Sequence, residues 1–319
     1  MAASAIPTVD FQKYGLNVAD PTSVTDDVLE TTAKEIYDAF STTGFLYLVN
    51  HGIEQRKVDA MFAVSKSFFD QPVEEKMKCV RTHQDSFHGY IALESEKGNI
   101  NDPVADFKEA FNFTPKDDGA WPADLPEFKS SFFAFFDDCI RLTERVLDVL
   151  SIALKLQDRN FLRDCHRQMG RKGNSTSIRS NYYPPLTGPV KPGQVRFGQH
   201  SDFGTMTLLF QDGIGGLEMM KTDDVYVPAK PIPGAIVVII GDLMQRWTAD
   251  QLKATKHRIL VPESEVKKRQ YRQSFGFFVN PDDDTIIKSL DGSDKYEPIC
   301  TLDYLKHVFF QMYQFTRVP

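Results

Sequence analysis

Apolar residues recur at helical spacing through the first half of the chain. In the first such segment they form one stripe: Leu29, Ala33, Ile36 and Phe40. This spacing predicts an amphipathic helix. A second helix is predicted over residues 58–69 and a long third one over residues 125–156, whose apolar face is largely phenylalanine. One short strand, in residues 44–52, separates the first two helices. We therefore expect residues 1–160 to form a mainly helical amino-terminal region.

The pattern changes after Gly173. Short apolar runs now alternate with glycine, proline and aspartate, as in "TMTLLFQDGIGGLEM" and "AIVVIIGD". Closely spaced strands with turn residues between them predict an antiparallel sandwich or barrel. A last amphipathic segment, residues 301–315, predicts a closing helix. Residues 161–319 are thus expected to form a β-rich catalytic domain with a carboxy-terminal helix.

The composition is that of an ordinary globular protein: 319 residues, of which 41% are hydrophobic and 25% charged. The net charge of −7 argues against nucleic acid as a partner, because phosphate binding needs a concentrated basic face. The four cysteines are scattered without a CxxC pair, which is typical of reduced thiols inside the cell. We find no signal-peptide pattern, and no apolar run approaches the roughly 20 residues that span a bilayer. We expect a cytoplasmic monomer without membrane or obligate protein partners.

Polar residues stand at the start of two apolar strands. His200 and Asp202 precede the run "TMTLLFQ", and residues two apart in a strand point to the same side. His257 begins the later strand "HRILVP". Two imidazoles and one carboxylate suit a non-haem ferrous ion with open positions, which indicates catalysis. The spacing leaves a second interpretation open, a histidine that hydrogen-bonds a carboxylate near a sheet edge.

A buried cation is predicted in the strand "YRQSFGFFVNP". Arg272 and Ser274 lie two apart and the residues after them are apolar. An arginine that enters such a strand needs an anionic partner, because an unpaired buried charge is costly. Its planar fork suits a carboxylate. The partner is either an internal carboxylate or a small dicarboxylate co-substrate.

These motifs occur together in one order along the chain. The carboxy-terminal ones are His200-Ser201-Asp202, His257, Arg272-Gln273-Ser274 and "NYYPP" at 181–185. The amino-terminal ones are "IPTVDF" at 6–11, "GFLYLVNHGI" at 44–53, "FFDQPVEEKMK" at 68–78 and "DFKEAFNF" at 106–113. The set resembles the 2-oxoglutarate- and Fe(II)-dependent dioxygenases of the isopenicillin N synthase-like family. The resemblance covers most of the chain.

The resemblance implies a fold and a chemistry. The fold is mainly β with flanking helices: a distorted double-stranded β-helix, or jelly roll, with a helical amino-terminal region and a carboxy-terminal helix. The implied enzyme is a non-haem iron oxygenase of secondary metabolism that uses O2. It couples oxidative decarboxylation of 2-oxoglutarate to C–H oxidation of a small-molecule metabolite. Hydroxylation, desaturation and oxidative cyclisation would need the same residues.

The resemblance also assigns roles to residues. The implied Fe(II) ligands are His200, Asp202 and His257. The implied 2-oxoglutarate contacts are Arg272, Ser274 and Tyr183 at the distal carboxylate, and Asn181 near the iron-chelating end. Substrate contacts are expected among Phe87, Tyr90, Phe203, Met219 and Phe310, with ordinary core packing as the alternative for each.

Two other functions stay open at this point. In oxidases of the isopenicillin N synthase type, the same Arg-x-Ser pair holds the substrate carboxylate and no 2-oxoglutarate is used. A non-catalytic ligand sensor of the same fold is the second alternative. It is disfavoured because degenerate members should lose a metal ligand, and all three positions are retained here.

Two further segments need an interpretation. "HQDSFH" contains His83, Asp85 and His88 and imitates a metal cluster, but its polar surroundings favour a loop. At Ala249-Asp250 many relatives have Asn-Gly, and we expect only a changed turn.

Overall fold

The computed structural model describes residues 6–81, 86–99, 101–117, 119–221 and 225–313, and every structural statement below concerns these residues. The helices are α1 (Asp26–Thr42), α2 (Gln55–Phe69), α3 (Val73–Met77), α4 (Pro126–Ala153), α5 (Phe161–Asp164), α6 (Asp242–Trp247), α7 (Glu265–Lys268) and α8 (Thr301–Tyr313). None of these helices is long and apolar enough to cross a membrane.

The strands form one large and one small sheet, with a short extra pair. They are β1 (Thr8–Asp10), β2 (Phe45–Val49), β3 (Gly89–Ile91), β4 (Glu109–Phe113), β5 (Ser177–Tyr183), β6 (Phe197–His200), β7 (Met206–Gln211), β8 (Leu217–Met220), β9 (Tyr226–Pro228), β10 (Ile236–Ile240), β11 (His257–Ile259), β12 (Arg272–Val279), β13 (Ile286–Ile287) and β14 (Ile299–Cys300). The large sheet has the order β1-β2-β10-β7-β12-β5-β4-β3, and the small one β6-β11-β8-β9. All neighbouring pairs in the two sheets are antiparallel except β1 with β2.

The large sheet lies between the helices and the small sheet. Strand β2 shows how alternation divides its residues. Leu46 and Leu48 pack into the main core with α1, α2 and α4, whereas Phe45 and Tyr47 join a second cluster that contains residues of both sheets. Two facing antiparallel sheets with helices outside make a jelly roll. The predicted mainly-β fold with flanking helices is confirmed.

The amino-terminal region contributes more strands than the sequence predicted. Only β2 was expected before residue 160, yet β1, β3 and β4 also join the large sheet. Strand β4 is buried at every position although it contains Glu109 and Asn112, so its sequence shows neither a continuous apolar run nor the strict alternation of a half-buried strand. The large sheet therefore runs across the predicted division at residue 160.

Helix α4 is the long helix that the phenylalanine pattern predicted. It begins with Pro126 in its first turn, where a missing N–H costs nothing. Phe128, Phe132 and Phe135 are buried in the main core, and Phe135 contacts the ring of Phe210 in β7 with centroids 5.0 Å apart. This stripe packs the helix against the large sheet and has no role in the site.

Candidate active site

Three polar side chains meet where β6 and β11 pair. His200 ends β6 and His257 begins β11, and the two residues are direct partners across the antiparallel pair. Asp202 follows β6 by two residues. One potential ligand atom from each side chain lies within 4.8 Å of the other two. Each histidine Nε2 is 3.8 Å from Oδ1 of Asp202.

Backbone carbonyls fix the orientation of both imidazoles. Nδ1 of His200 is 2.8 Å from the carbonyl oxygen of Gly198, and Nδ1 of His257 is 3.1 Å from that of Thr255. Because a carbonyl only accepts hydrogen bonds, Nδ1 donates in each ring and Nε2 keeps its lone pair. Both lone pairs are thus available on the Asp202 side, as a metal ligand requires.

The charge state of the cluster also suits a cation. Burial, followed by the neighbouring His257 ring, lowers the pKa of His200 well below its usual range, so this ring is neutral. Oδ2 of Asp202 is buried without a hydrogen-bond partner. A buried carboxylate oxygen of this kind needs compensation. Two imidazoles whose Nδ1 atoms are engaged by carbonyls, together with one underbonded carboxylate, therefore fit a divalent metal ion such as Fe(II).

Arg272 and Ser274 begin β12 on the neighbouring sheet, opposite β5. Arg272 pairs with Tyr183 and Ser274 with Asn181. The guanidinium lies over the Tyr183 ring at 4.9 Å, and it donates to Ser274 Oγ at 3.2 Å and to the carbonyl of Gly215 at 2.7 Å. Arg272 is fully buried, and it forms no salt bridge to a carboxylate in the described ranges. Of the two partners that the sequence left open, an internal carboxylate in salt-bridge contact is therefore absent from the described residues.

Arg196 is a second buried cation that sequence reasoning missed. Its side chain is fully buried, and one terminal nitrogen donates to the carbonyl of Gln270 at 3.0 Å. Nε and the other terminal nitrogen have no partner. Burial, followed by the charge of Arg272, lowers the pKa of Arg196 to about 10. The signal was present in the sequence, because Arg196 stands directly beside Phe197, the first residue of the strand that carries His200.

A cavity beside the metal cluster contains two of the expected substrate contacts. Phe87 and Phe203 line it together with Phe309 of α8. The Phe309 ring lies 4.7 Å from that of Phe87 and 5.5 Å from that of Phe203, measured between centroids. These three rings form an aromatic wall from three separate parts of the chain.

Two polar residues in the lining were not foreseen. Arg179 of β5 contacts the buried carboxylate of Glu96 and donates to Oδ1 of Asn181 at 3.0 Å. Asn112 of β4 is buried, and its Oδ1 has no hydrogen-bond partner. Arg179 lies outside the quoted motifs, and Asn112 lies within "DFKEAFNF" without having been singled out. Their strands meet at this position only because β4 and β5 pair.

The other three expected substrate contacts lie outside this lining. Tyr90 is buried against Phe68 and donates its hydroxyl proton to Glu109 at 2.5 Å. Met219 is fully buried in the cluster between the two sheets. Phe310 is 61% exposed, because it follows Phe309 by one helical position and points away from it. The structure thus places Tyr90 and Met219 in core packing, the alternative that the sequence left open, and Phe310 at the surface.

The remaining predicted segments have structural roles or lie outside the described residues. His83 and Asp85 fall outside them. His88 is buried beside the ring of Trp121, with centroids 4.7 Å apart, and is no part of the metal cluster. Ala249 and Asp250 form a turn with positive φ values of 50° and 69°.

The motif around Asp106 supports the strand that bears His200. Asp106 accepts the N–H of Gly198 at 2.8 Å and that of Gly98 at 2.7 Å. Lys108 pairs with Glu96 at 2.7 Å and lies over the ring of Phe197 at 4.4 Å. The Phe197 ring in turn stacks on His200, with centroids 4.1 Å apart. Asp106 and Lys108 thus support the metal cluster, one through the backbone of Gly198 and the other through the ring of Phe197.

Comparisons with known proteins agree with this geometry. The family model described as non-haem dioxygenase in morphine synthesis N-terminal matches residues 6–130, and that of the 2OG-Fe(II) oxygenase superfamily matches residues 174–281. Proline hydroxylase buaE of Petromyces alliaceus is 32% identical over 279 residues, covering 82% of this chain and 85% of the relative. The 2-oxoglutarate-dependent dioxygenase htyE of Aspergillus rugulosus is 30% identical over 310 residues, covering 90% of each.

Solved structures show the same relationship. The crystal structure of a full-length Neurospora crassa protein in complex with alpha-KG has a TM-score of 0.84 and 31% identity, and covers 95% of both chains. A second structure of that protein contains alpha-KG and thymine. With this fold, these relatives and a His-Asp-His cluster suited to iron, the chain belongs to the 2OG-Fe(II) oxygenase superfamily and is an Fe(II)/2-oxoglutarate-dependent dioxygenase.

Proposed function

We propose that His200, Asp202 and His257 hold the Fe(II) of this enzyme, and that Arg272 and Ser274 hold the distal carboxylate of 2-oxoglutarate with Tyr183 beside them. The observation that carries the proposal is the three-residue cluster, with both imidazole lone pairs and an unpartnered Asp202 oxygen available to one ion. The buried Arg272, which lacks a carboxylate partner in the described ranges, supports the second part.

Asn181 is proposed to act between the two sites. It faces Ser274 across the β5–β12 pair, and its Oδ1 accepts from Nε of Arg179, a residue of the cavity lining. Its position supports a role near the iron-chelating end of 2-oxoglutarate. The contact with Arg179 also fixes one edge of the substrate cavity.

The iron, when bound with 2-oxoglutarate and O2, supplies the oxidising power for C–H oxidation. The residues of this chain supply position and a dry environment. Phe197 covers one face of His200, and Phe87, Phe203 and Phe309 surround the space beside Asp202. Apolar walls exclude water from a site where a reactive oxidant would otherwise attack solvent or protein.

We propose that the substrate is a small organic metabolite with an apolar ring or chain and one hydrogen-bonding edge. The aromatic wall suits the apolar part. The guanidinium of Arg179 and the unpartnered Oδ1 of Asn112 suit a group that offers an acceptor and a donor. Thymine in the Neurospora crassa structure and the name proline hydroxylase of a relative support a substrate of this size. Hydroxylation is the outcome that we propose.

The experiment is a coupled turnover assay. Purified protein with Fe(II), ascorbate and 2-oxoglutarate is offered a panel of small cyclic amides, amino acids and nucleobases, and succinate and oxidised product are measured together. We expect stoichiometric succinate and a product heavier by one oxygen atom for at least one member, and no succinate above background with His200→Ala. Equal succinate formation by the alanine variant would contradict the proposed ligand set. A product lighter by two hydrogen atoms would replace hydroxylation by desaturation or ring closure.

The cellular location is proposed from the cysteines. All four, Cys79, Cys139, Cys165 and Cys300, are free thiols. Free thiols suit the reducing cytoplasm, where disulfides are rare. Localisation of a tagged full-length chain in its host checks this.

A further inference from the structure

We propose that Arg196 is a second cationic group for the distal carboxylate of 2-oxoglutarate, so that two guanidiniums and not one select the dicarboxylate. The proposal rests on the proposed role of Arg272 and Ser274. It adds a residue that lies outside the Arg-x-Ser motif and comes from the other sheet of the jelly roll.

The first observation is that Arg196 is buried and that two of its side-chain nitrogens have no hydrogen-bond acceptor among the described residues. The side chain has no exposed surface, and within the described ranges one of its nitrogens has a partner, the carbonyl of Gln270. Nε and one terminal nitrogen make no hydrogen bond. Buried polar groups are nearly always hydrogen-bonded, and a buried guanidinium with two unpartnered nitrogens requires an acceptor.

The second observation places the Arg196 side chain near the segment that carries Arg272. The carbonyl that Arg196 contacts belongs to Gln270, two residues before Arg272. The backbone N–H of Arg196 donates to Ile259 of β11 at 3.0 Å, which holds Arg196 at the end of the small sheet. The positive charge of Arg272 and the hydroxyl of Tyr183 both influence the pKa of Arg196. The two guanidiniums and Tyr183 therefore share one buried region.

The third observation is an excess of positive charge there. Neither guanidinium forms a salt bridge within the described ranges. The neighbouring carboxylate is Asp212, whose oxygens accept the backbone N–H groups of Gln273 at 2.5 Å and Ile214 at 3.0 Å. Burial raises the pKa of Asp212, and the charges of Arg272 and Arg196 partly offset this. Asp212 is thus the carboxylate near the two guanidiniums among the described residues, which leaves one positive charge for a ligand to neutralise.

A ligand carboxylate meets all three requirements. It carries one negative charge and accepts several hydrogen bonds, so it can engage the fork of Arg272, the Ser274 hydroxyl and the unpartnered nitrogens of Arg196 together. Such a pair of cations discriminates strongly against keto acids without a second carboxylate, because removing the ligand charge leaves one positive charge buried and uncompensated.

The test compares two ligands of equal chain length. Calorimetry on the full chain loaded with Mn(II) measures binding of 2-oxoglutarate and of 2-oxopentanoate, in which a methyl group replaces the distal carboxylate. We expect Arg196→Met to weaken 2-oxoglutarate binding by at least about 10-fold and to change 2-oxopentanoate binding by less than about twofold. Arg196→Lys keeps the charge without the fork and should lie between wild type and Arg196→Met. Arg145→Met is the matched control, because Arg145 also has a buried nitrogen without a partner but lies in α4, outside the roll.

Thermal unfolding gives a second readout without turnover. The rise in melting temperature that 2-oxoglutarate produces should shrink in Arg196→Met and stay unchanged in Arg145→Met. An equal loss of affinity for both ligands, or no loss for either, would overturn the role of Arg196. The proposed role of Arg272 fails separately, if wild type does not prefer 2-oxoglutarate or if Arg272→Met retains that preference. If Arg196→Met does not fold, the Arg196→Lys comparison decides alone. Unchanged discrimination between 2-oxoglutarate and 2-oxopentanoate by Arg196→Lys would then contradict the proposed role of the Arg196 guanidinium.

Discussion

His200 and His257 face each other across the pairing of β6 and β11, and their ring centroids are 4.3 Å apart. Each ring is held by a backbone carbonyl two residues before it, Gly198 for one and Thr255 for the other. The same local arrangement therefore occurs twice, once on each strand, and it directs both Nε2 atoms to one point. This symmetry makes the contribution of each ligand testable by itself.

Replacement of His257 by alanine should remove one of three ligands without disturbing the fold. We expect turnover to fall by more than about 100-fold and Fe(II) affinity to fall with it. Dialysis of wild type against a chelator should produce the same loss, reversed by Fe(II). Metal titration and succinate release measure both effects. His51→Asn is the control, because His51 is a buried histidine that contacts Gly234 and not the cluster. Full activity of His257→Ala would contradict the proposed ligand set.

Asp106 should matter for metal binding although it touches no ligand side chain. Its two oxygens accept the N–H groups of Gly98 and Gly198, and the Gly198 carbonyl orients His200. In Asp106→Asn one of these N–H groups would face an amide NH2. We expect Fe(II) affinity to fall by roughly 10- to 100-fold, as for other groups that orient a metal ligand. Asp148→Asn is the comparison, because Asp148 lies in α4 and accepts a hydrogen bond from Tyr14 at 2.8 Å, not from a residue of the metal cluster. Similar affinities in the two variants would show that Asp106 has no orienting role.

Phe309 should affect the binding of the substrate and not the binding of 2-oxoglutarate. Phe309→Ala removes the ring that contacts Phe87 and Phe203 and opens the cavity. We expect the KM for substrate to rise by about 10-fold, with more 2-oxoglutarate consumed per product formed and an unchanged Kd for 2-oxoglutarate. The adjacent, exposed Phe310→Ala is the matched control and should behave as wild type. A parallel effect in both variants would indicate a general loosening of α8.

His51 should make the protein less stable in mild acid. Its Nδ1 accepts the N–H of Ile53, and burial lowers its pKa to about 4 from an ordinary value of 6.5. Between these values the unfolded chain binds a proton that the folded chain does not, so stability falls as the pH falls through this window, by about 1.4 kcal/mol per pH unit. His51→Asn removes this contribution. The difference in unfolding free energy between the two proteins, measured in urea, should therefore shrink by about 2 kcal/mol from about pH 7.5 to about pH 5. A constant difference would rule out His51 as the origin.

The turn at Ala249 should gain stability from glycine. Ala249 has a φ of 50°, a left-handed conformation that costs a residue with a Cβ about 1 kcal/mol. We expect Ala249→Gly to raise the unfolding free energy by up to about 1 kcal/mol. Ala134→Gly, on the exposed side of α4, should lower the unfolding free energy by a similar amount, because glycine is a poor helix former. Equal destabilisation by both changes would mean that the turn carries no strain.

The sequence alone was enough to predict the site residues that lie close together along the chain. His200 and Asp202 share a side of one extended segment, and Arg272 and Ser274 share a side of another, because residues two apart in a strand point the same way. Ordered motifs then indicated the family, the fold class and the cofactors. Helices α1, α2, α4 and α8 followed from their apolar spacing for the same reason, since the helical period is a property of the local backbone.

The tertiary structure decided which distant segments become neighbours. The contact of Arg179 and Asn112 with the cavity depends on β4 lying beside β5. The hydrogen bond of Arg196 to the carbonyl of Gln270, just before β12, depends on the two sheets facing each other. Tyr90, Met219 and Phe310 were expected in the cavity by proximity to motifs, but side-chain direction placed them elsewhere. Strand order and facing are set by the packing of the whole chain, and no local period encodes them.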